Sequence, residues 1–264
     1  MPESTPFDAL ASTYDADFTA SPIARELRGR VQNRLAALFP SDSTVLELGC
    51  GTGEDALWLA GRGAQVLATD SSLVMLEQAQ RKTEAEPRVT VARLDLASLP
   101  TDFDGPYAGA YSNFGPLNCI PGWKDLACWL AERIPVGGML AFGVMSRYCL
   151  WEFSWHGLHG DFRTARRRWS GHSTFSPGHA TELIPIAYPS VREFSDEFAP
   201  WFRRTRLEAL GLFLPPTDVY GVIERRPRLL RSLTRLDRQV GRAGWLANAA
   251  DHFWIEFTRT DAPQ

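Results

Sequence analysis

The sequence has no long apolar run and no excess of basic residues. Its longest apolar stretch, residues 136–145, is about half of the ~20 residues that a membrane-spanning helix needs, and glycines interrupt it. The formal net charge is −3, so the surface as a whole does not attract nucleic acid or anionic lipid. We therefore expect neither a membrane nor a nucleic acid as a partner.

Cysteine is scarce, and its spacing does not match the common cysteine-based sites. The four cysteines stand singly, and none shows the Cys-x-x-Cys spacing of metal sites. A chain of this length does not need disulfides for stability, so we expect reduced thiols and no metal. The first residues show no basic segment followed by an apolar stretch, which argues against a secretory signal and favours a cytoplasmic protein. Both a monomer and a homodimer are compatible with the sequence.

What the sequence does have is a regular alternation of buried strands and amphipathic helices. With 264 residues and 44% hydrophobic content, it can bury a large core. Apolar residues recur at helical spacing over 23–38, and a strand at 45–48, a helix at 54–61 and a strand at 65–69 follow. The alternation continues to residue 146 and predicts a Rossmann-like α/β fold, a mostly parallel seven-stranded sheet with helices on both faces.

The most informative segment is a glycine-rich turn after the first predicted strand. Residues 45–54 read Val-Leu-Glu-Leu-Gly-Cys-Gly-Thr-Gly-Glu, and glycines there let the backbone approach a ligand at the end of the strand. The dinucleotide fingerprint Gly-x-Gly-x-x-Gly fails, because its third glycine position is Glu54. Glu47 suits an ammonium group better than a pyrophosphate, since burying like charges together is costly. The turn therefore argues against NAD and FAD.

Acidic residues follow the next two predicted strands. Asp70 ends the second strand, where a carboxylate can accept both hydroxyls of a ribose. Asp95 and Leu96 follow the third strand, where a carboxylate can accept from an adenine amine and a leucine can pack on the ring. Each acid alone is typical of a helix cap or a solvated turn. At the ends of successive strands of one sheet, they predict an adenosine site.

Together these motifs resemble those of the class I S-adenosylmethionine (SAM)-dependent methyltransferases, in the style of the small bacterial type 11 and type 25 enzymes. Residues 47–53, Glu-Leu-Gly-Cys-Gly-Thr-Gly, resemble motif I of that family, and residues 111–115, Tyr-Ser-Asn-Phe-Gly, resemble motif IV. Residues 7–15, Phe-Asp-x-x-Ala-x-x-Tyr-Asp, are similar to the family's opening segment, whose tyrosine folds over the cofactor. The resemblance covers about residues 7–146.

The resemblance implies SAM as the cofactor and S-adenosylhomocysteine as the product formed from it. It implies that the glycine turn approaches the methionine part of SAM, that Glu47 binds its ammonium group directly or through water, and that Asn113 lies beneath the sulfonium. The cofactor-binding residues predicted on this basis are Tyr14, Glu47, Gly49, Cys50, Gly51, Gly53, Asp70, Ser71, Asp95, Leu96 and Asn113.

The same reasoning divides the chain into four segments. Residues 1–40 are predicted to be an N-terminal helical segment covering the cofactor, and 41–146 the SAM-binding core. The strand–helix rhythm breaks after Ser146, so residues 147–189 are interpreted as an inserted cap that binds the substrate. Residues 190–264 are assigned to the C-terminal part of the sheet and its helices.

The predicted activity is methyl transfer to a small-molecule acceptor, with O-methylation favoured over N- or C-methylation. The candidate catalytic residues are His156, His159 and Tyr148. The candidate substrate-binding residues are Asn118, Arg147, Trp151, Trp155 and Tyr188. For any single one of these residues the favoured alternative is structural: the tryptophans form the small core of the insertion, and the histidines are surface or satisfied residues. The spacing of His156 and His159 also suits a metal, but no third ligand stands nearby in the sequence.

Two other functions compete with this one. A protein of this fold can bind SAM without catalysis, as a regulatory or interaction module, and a nucleotide-dependent oxidoreductase uses a related sheet. The arginines at 166–168 and within 225–242 raise the question of RNA binding. Because they recur at helical intervals among leucines in a chain of negative net charge, we interpret them as solvated helix faces.

Overall fold

The computed structural model describes residues 7–8, 11, 14–15, 21–175, 183–216 and 220–261. The strands are β1 (Thr44–Leu48), β2 (Gln65–Asp70), β3 (Val89–Arg93), β4 (Gly109–Ser112), β5 (Met139–Met145), β6 (His172–Phe175), β7 (Ile184–Ala187), β8 (Phe202–Leu210) and β9 (His252–Arg259). The α-helices are α1 (Pro22–Leu38), α2 (Glu54–Ala60), α3 (Leu73–Thr83), α4 (Lys124–Arg133), α5 (Leu150–Leu158), α6 (Phe162–Ala165), α7 (Val191–Phe198), α8 (Tyr220–Glu224) and α9 (Pro227–Val240). Short 3-10 helices cover Pro116–Asn118 and Gly244–Ala249.

Seven of these strands form one sheet in the order β3-β2-β1-β4-β5-β9-β8, and β6 pairs with β7 in a separate hairpin. Strands β1 to β5 are parallel, whereas β9 runs antiparallel to both β5 and β8. The predicted Rossmann-like, mostly parallel sheet is therefore confirmed.

The register of the sheet brings chemically distinct residues to one edge. Leu48 pairs with Thr69, and Asp70 with Arg93, so β1, β2 and β3 end side by side. The reversal of β9 has a further effect, because its first residue, His252, pairs with Met145 at the end of β5. The last strand of the chain thus begins at the edge where the parallel strands end.

Both faces of the sheet are covered, since alternate strand residues point to opposite sides. Leu140 and Phe142 pack into an apolar cluster with α4 and α7, while Ala141 between them packs with α1, α2 and α3. Helix α1 is also tied to β9 by Arg34, which donates two 2.8 Å hydrogen bonds to Glu256. The parallel strands are consequently buried on both sides, as continuous apolar runs predict.

The boundaries predicted for the core lie within about two residues of those observed, and the differences are concentrated after β5. Within residues 147–189 the sequence predicts a single strand, near 183–188, whereas the chain also forms α5, α6 and β6 there. One interpretation was wrong: Arg168 is not part of a solvated face but is buried. It is drawn inward because Glu152 and Asp251, both buried, need a cation. Within the described residues, no helix is both long and apolar enough to span a membrane.

Candidate functional site

The turn after β1 has a backbone that requires glycine. Gly49, Gly51 and Gly53 have φ angles of 73°, 53° and 79°, which residues with a side chain rarely adopt. A Cβ atom on Gly49 would overlap the ring of Pro116, and one on Gly53 would lie 3.1 Å from Cβ of Ala79. The predicted glycine motif therefore serves both conformation and close packing around the turn.

Asp70 fastens this turn to the end of β2. One of its carboxylate oxygens accepts a 2.9 Å hydrogen bond from the amide of Gly51, and the other accepts one of the same length from the amide of Ser72. Burial raises the pKa of Asp70, and these backbone hydrogen bonds act in the opposite direction. Ser71, another predicted residue, is half-buried in the loop between them. The acid and the glycine turn are thus one structural unit.

A small cavity lies beside the turn and is lined by charged and polar groups. Its walls include Glu47 from β1, Asn113 after β4 and Arg28 from α1. Glu47 and Asn113 are buried, and in each residue one oxygen lacks a hydrogen-bond partner among the described residues, as does Nε of Arg28. Since buried polar atoms are normally paired, these three atoms indicate a place for a polar ligand.

Arg28 and Asn113 are oriented by one buried carboxylate, that of Asp55. Asp55 accepts hydrogen bonds from Arg28 at 2.7 Å, from Asn113 at 3.0 Å and from Gln32 at 3.0 Å. Burial and the neighbouring charge of Asp55 raise the pKa of Glu47 well above its ordinary value. The cavity therefore presents one fixed cation beside a carboxyl group that tends to keep its proton.

Sequence reasoning missed both Arg28 and Asp55. Arg28 stands among several arginines of α1, and nothing in the helical pattern distinguishes the one that faces the sheet. Asp55 occupies the first turn of α2, where an acid is expected simply as a favourable partner of the helix dipole. The contact between these residues spans 27 positions and becomes visible only in the folded chain.

The N-terminal segment lies over the turn. A Cβ on Gly51 would lie 3.6 Å from the ring of Tyr14, and burial raises the pKa of Tyr14 to about 12. Asp15 accepts hydrogen bonds from Thr52 at 2.7 Å and from Lys82 at 2.6 Å. These contacts fit the predicted position of Tyr14 over the ligand.

The residues predicted to contact adenine, Asp95 and Leu96, lie outside this cavity. Asp95 is exposed and accepts a 2.9 Å hydrogen bond from the amide of Ala97, as a turn residue does, and Leu96 is half-buried against the core. Neither residue lines the cavity described above. The cavity brings together only part of the predicted cofactor set. Its members there are Tyr14, Glu47, Gly49, Cys50 and Asn113.

Three of the predicted acceptor-side residues make contacts that fix the chain after β5. Asn118 is buried and joins the carbonyls of Met145 and Ala187 at 3.0 and 2.7 Å. Arg147 pairs with Glu193 at 3.0 Å and donates to the carbonyl of Tyr188 at 3.2 Å. Tyr188 is itself buried. These contacts give each residue a structural role, and their part in substrate binding stays a prediction.

The remaining candidates lie on or next to α5. Tyr148 is exposed, and Trp151 packs against the core cluster that contains α1. His159 is exposed, with its Nδ1 2.7 Å from the carbonyl of Trp155 and its ring 4.3 Å from the tryptophan ring, while His156 is half-buried. None of the predicted acceptor-side residues lines the cavity beside the glycine turn. Across the described ranges, no group of three or more potential ligands forms a metal site.

Comparison with known proteins identifies a known domain within the chain. Residues 45–133, which run from β1 to the end of α4, match the family described as a methyltransferase domain. Over these residues the chain is similar to the class I SAM-dependent methyltransferases. The prediction of SAM as the cofactor is confirmed at the level of this family.

Individual members of the class I methyltransferases share different extents of the chain. Demethylmenaquinone methyltransferase from Clavibacter sepedonicus is 32% identical over 120 residues, which is 46% of this chain and 49% of that protein. Malonyl-[acyl-carrier protein] O-methyltransferase from Pectobacterium atrosepticum is 28% identical over 238 residues, covering 76% of this chain and 89% of that protein. The chain spans about half the length of the first curated relatives that it matches.

A crystal structure extends the similarity in fold across most of the chain. The SAM-dependent methyltransferase from Mesorhizobium loti superposes with a TM-score of 0.60 at 20% identity, covering 88% of this chain and all of that one. At this identity the match supports the class I methyltransferase fold alone.

We expect Gly49→Ala to lower the free energy of unfolding by about 1–3 kcal/mol, because it forces an alanine into a left-handed conformation. The overlap of its Cβ with Pro116 adds to this loss. Gly29→Ala in α1 is the matched control, since its Cβ would meet nothing within 4 Å. Its expected effect is a gain of roughly 0.5–1 kcal/mol. Urea unfolding measures both, and equal stability of the two variants would contradict the requirement for glycine at position 49.

Proposed function

We propose that this protein binds SAM at the carboxyl ends of β1 and β2 and transfers its methyl group to a small-molecule acceptor. The observation that carries the proposal is the set of three buried, unpaired polar atoms around one cavity beside the glycine turn. Two of them, on Glu47 and Asn113, are hydrogen-bond acceptors, and the third, on Arg28, is a donor.

This donor and acceptor set suits an α-amino acid group. An ammonium group needs acceptors, which Glu47 and Asn113 supply, and a carboxylate needs a donor with positive charge, which Arg28 supplies. A pyrophosphate would meet two buried carboxyl groups, those of Glu47 and Asp55, and would be repelled. The site therefore favours the methionine part of SAM over the NAD or flavin of an oxidoreductase.

The adenosine part would lie across the end of β2. Asp70 accepts one backbone hydrogen bond on each carboxylate oxygen, and each oxygen retains a lone pair that can accept from a ribose hydroxyl. Asp95 and Leu96 stand at the end of β3, the strand next to β2, and we assign the adenine to them. Ser71 and the turn residues Cys50, Gly51 and Gly53 complete the proposed set.

In this assignment the protein mainly positions the reactants and excludes water. SAM supplies a methyl group on a sulfonium, and displacement requires the acceptor atom to approach in line with the carbon–sulfur bond. Asn113 and Tyr14 both line the cavity, and we propose that Asn113 forms the floor of the site and that the N-terminal segment with Tyr14 covers it. We propose that residues 1–40 act as this cover, 41–146 as the SAM-binding core, 147–189 as the cap and 190–264 as the remainder of the sheet.

The acceptor is proposed to be a small molecule, and an oxygen atom is favoured as the methylated position. The name of one matched relative, a malonyl-[acyl-carrier protein] O-methyltransferase, supports oxygen, and the demethylmenaquinone in the name of another supports a small-molecule acceptor. Arg147, Trp151, Trp155 and Tyr188 remain the proposed substrate contacts, with Asn118 supporting the loop that carries them. A cytoplasmic location, as monomer or homodimer without nucleic acid or membrane partners, also remains part of the proposal.

Two ligands separate the halves of the proposed cofactor site. S-Adenosylhomocysteine carries an amino acid group, and 5′-methylthioadenosine lacks it. We expect Arg28→Met to weaken binding of the first about 10- to 100-fold, the loss of a charged hydrogen bond, and to leave the second within about twofold. Asp70→Asn is expected to weaken both, because it removes a ribose acceptor.

Isothermal titration calorimetry measures the affinity of the native protein and of each variant for both ligands, and thermal melting confirms that the variants fold. Asp196→Asn is a control, since this acid is exposed on α7 and its ion pair with Arg192 is far from the turn in sequence. If Arg28→Met reduced the affinity for methylthioadenosine as much as that for S-adenosylhomocysteine, the assignment of the amino acid group would be wrong.

The pKa of Glu47 predicts a proton linkage. Its pKa is raised, so in the free protein the carboxyl group holds its proton above the ordinary carboxyl range. A bound ammonium group favours the ionised form, which lowers that pKa, and up to about one proton should therefore be released on binding. Calorimetry in buffers of different ionisation enthalpy measures the release. We expect Glu47→Gln to abolish it, and a proton uptake by the native protein would contradict the assignment.

Turnover tests the activity itself. The purified protein is incubated with SAM and separate phenol, carboxylate and amine acceptors, and release of S-adenosylhomocysteine is followed by mass spectrometry. We expect acceptor-dependent release, with the hydroxyl and carboxylate acceptors ahead of the amines. Binding of S-adenosylhomocysteine without turnover on any acceptor would favour the non-catalytic SAM-binding module, and absence of binding would refute both.

A further inference from the structure

The histidine that begins β9 lies at the same sheet edge as the proposed cofactor site. His252 is buried, and it pairs with Met145 at the end of β5. Its ring stands edge-on to Phe114, with 5.7 Å between the ring centroids and 77° between the planes. Phe114 lines the cavity that contains Glu47 and Asn113. One aromatic ring therefore separates His252 from the place proposed for the amino acid and sulfonium of SAM.

Asp251 holds one nitrogen of this imidazole. Nδ1 of His252 lies 3.0 Å from a carboxylate oxygen of Asp251, and the other oxygen accepts a 2.8 Å hydrogen bond from Arg168. Burial acts to raise the pKa of Asp251, but His252 and Arg168 outweigh it and hold that pKa well below the usual range. The carboxylate thus stays ionised next to the ring.

Nδ1 is buried and meets Asp251 at ion-pair distance without the alignment of a full hydrogen bond, so Nε2 is the ring nitrogen left to face a ligand. Assigned from these contacts, the neutral ring carries its proton on Nδ1, towards Asp251, and its lone pair on Nε2. The charged groups nearest this arrangement are Asp251, Arg168 and Glu152, which pairs with Arg168 at 3.0 Å, while Arg28 contacts the opposite partner, Phe114, at 5.2 Å.

We propose that His252 is the general base of the methyl-acceptor site, oriented by Asp251 and Arg168, and that it serves acceptors whose nucleophile carries a proton, such as phenols and other hydroxyl compounds. The proposal rests on the proposed function. A carboxylate acceptor is already ionised near neutral pH and does not need the base.

The step is balanced without any further reactant. The hydroxyl bond of the acceptor breaks, its proton goes to Nε2, and an oxygen electron pair forms the new bond to the methyl carbon. The carbon–sulfur bond breaks with its electron pair remaining on sulfur, so the sulfonium becomes a neutral thioether. Nδ1 keeps its proton throughout, and the resulting imidazolium is stabilised by Asp251.

This assignment differs from the histidines selected on sequence grounds. The ring of His159 contacts Trp155, and the residue is exposed at the end of α5. His252 instead contacts Asp251, which binds Arg168 in the segment after α6. Arg168 also binds Glu152 of α5. Sequence reasoning did not select His252, since a histidine at the start of a strand matches no catalytic motif.

Two substitutions test the proposal, and both remove the base. His252→Asn keeps an amide nitrogen near the position of Nδ1 and so retains a donor for Asp251, whereas His252→Gln loses that contact. His172→Gln, on the exposed face of β6, is the matched control. The acceptors are catechol, whose hydroxyls are protonated, and trans-aconitate, whose carboxylates are ionised.

We expect His252→Asn to lower kcat for catechol about 10²- to 10⁴-fold, the usual contribution of a general base, and to remove the fall of kcat/KM at low pH. The affinity for S-adenosylhomocysteine and the turnover of trans-aconitate should stay within about threefold of the native values, as should both activities of His172→Gln. Equal losses with the two acceptors, or none with catechol, would overturn the proposal.

A chemical measurement decides the case without turnover. Diethyl pyrocarbonate, which acylates unprotonated imidazole, is applied to the native protein with S-adenosylhomocysteine present, and modified peptides are mapped by mass spectrometry. We expect acylation of His252, slowed in Asp251→Asn. If His252 stays unmodified while the exposed His159 and His172 react, it does not face the acceptor site. Failure of the proposed function is distinct, because the native protein would then bind no S-adenosylhomocysteine.

Discussion

The hydrogen bond from the amide of Gly51 to the carboxylate of Asp70 is the contact on which the site depends. It joins the turn after β1 to the end of β2, and it holds the turn in a conformation that only glycine adopts without strain. With the turn fixed, β1 presents Glu47 to the cavity and α2 begins at Glu54 with Asp55 in its first turn. The orientation of Arg28 and Asn113 follows from Asp55. The conformation of the glycine turn thus determines, through these contacts, where the buried charged groups of the cavity lie.

Two networks of buried charge lie near this edge. Asp55 accepts hydrogen bonds from Arg28, Gln32 and Asn113 beside the glycine turn. In the second network Arg168 binds both Glu152 and Asp251, which connects the elements after β5 to the start of β9. Buried ion pairs are poor sources of net stability but define geometry well, because a misplaced partner leaves a charge without compensation. Their presence here is consistent with sites whose residues must be held in place.

The part of the structure that could be predicted from sequence is the part governed by local patterns. Buried strands, amphipathic helices and the glycine turn have short periods or fixed spacing, so β1 to β5 and the position of Asp70 were located before the fold was known. Long-range electrostatic pairing has no such signature. Arg28, Asp55 and His252 were missed because their partners lie far along the chain or depend on strand direction, and Arg168 was misassigned because three successive arginines look solvated. The role of the residues on α5 remains a prediction for the same reason.

Because β9 is antiparallel to β5, His252, which lies far from the glycine turn in the sequence, reaches the same edge of the sheet as that turn. The cofactor-side groups come from the first half of the chain, whereas His252 comes from its last strand, yet both reach one edge. Under the role proposed for His252, substitutions at the start of β9 would change which nucleophiles are activated without altering the glycine turn. With this arrangement, related proteins could keep the same glycine turn and Asp70 while differing in the compounds that they methylate.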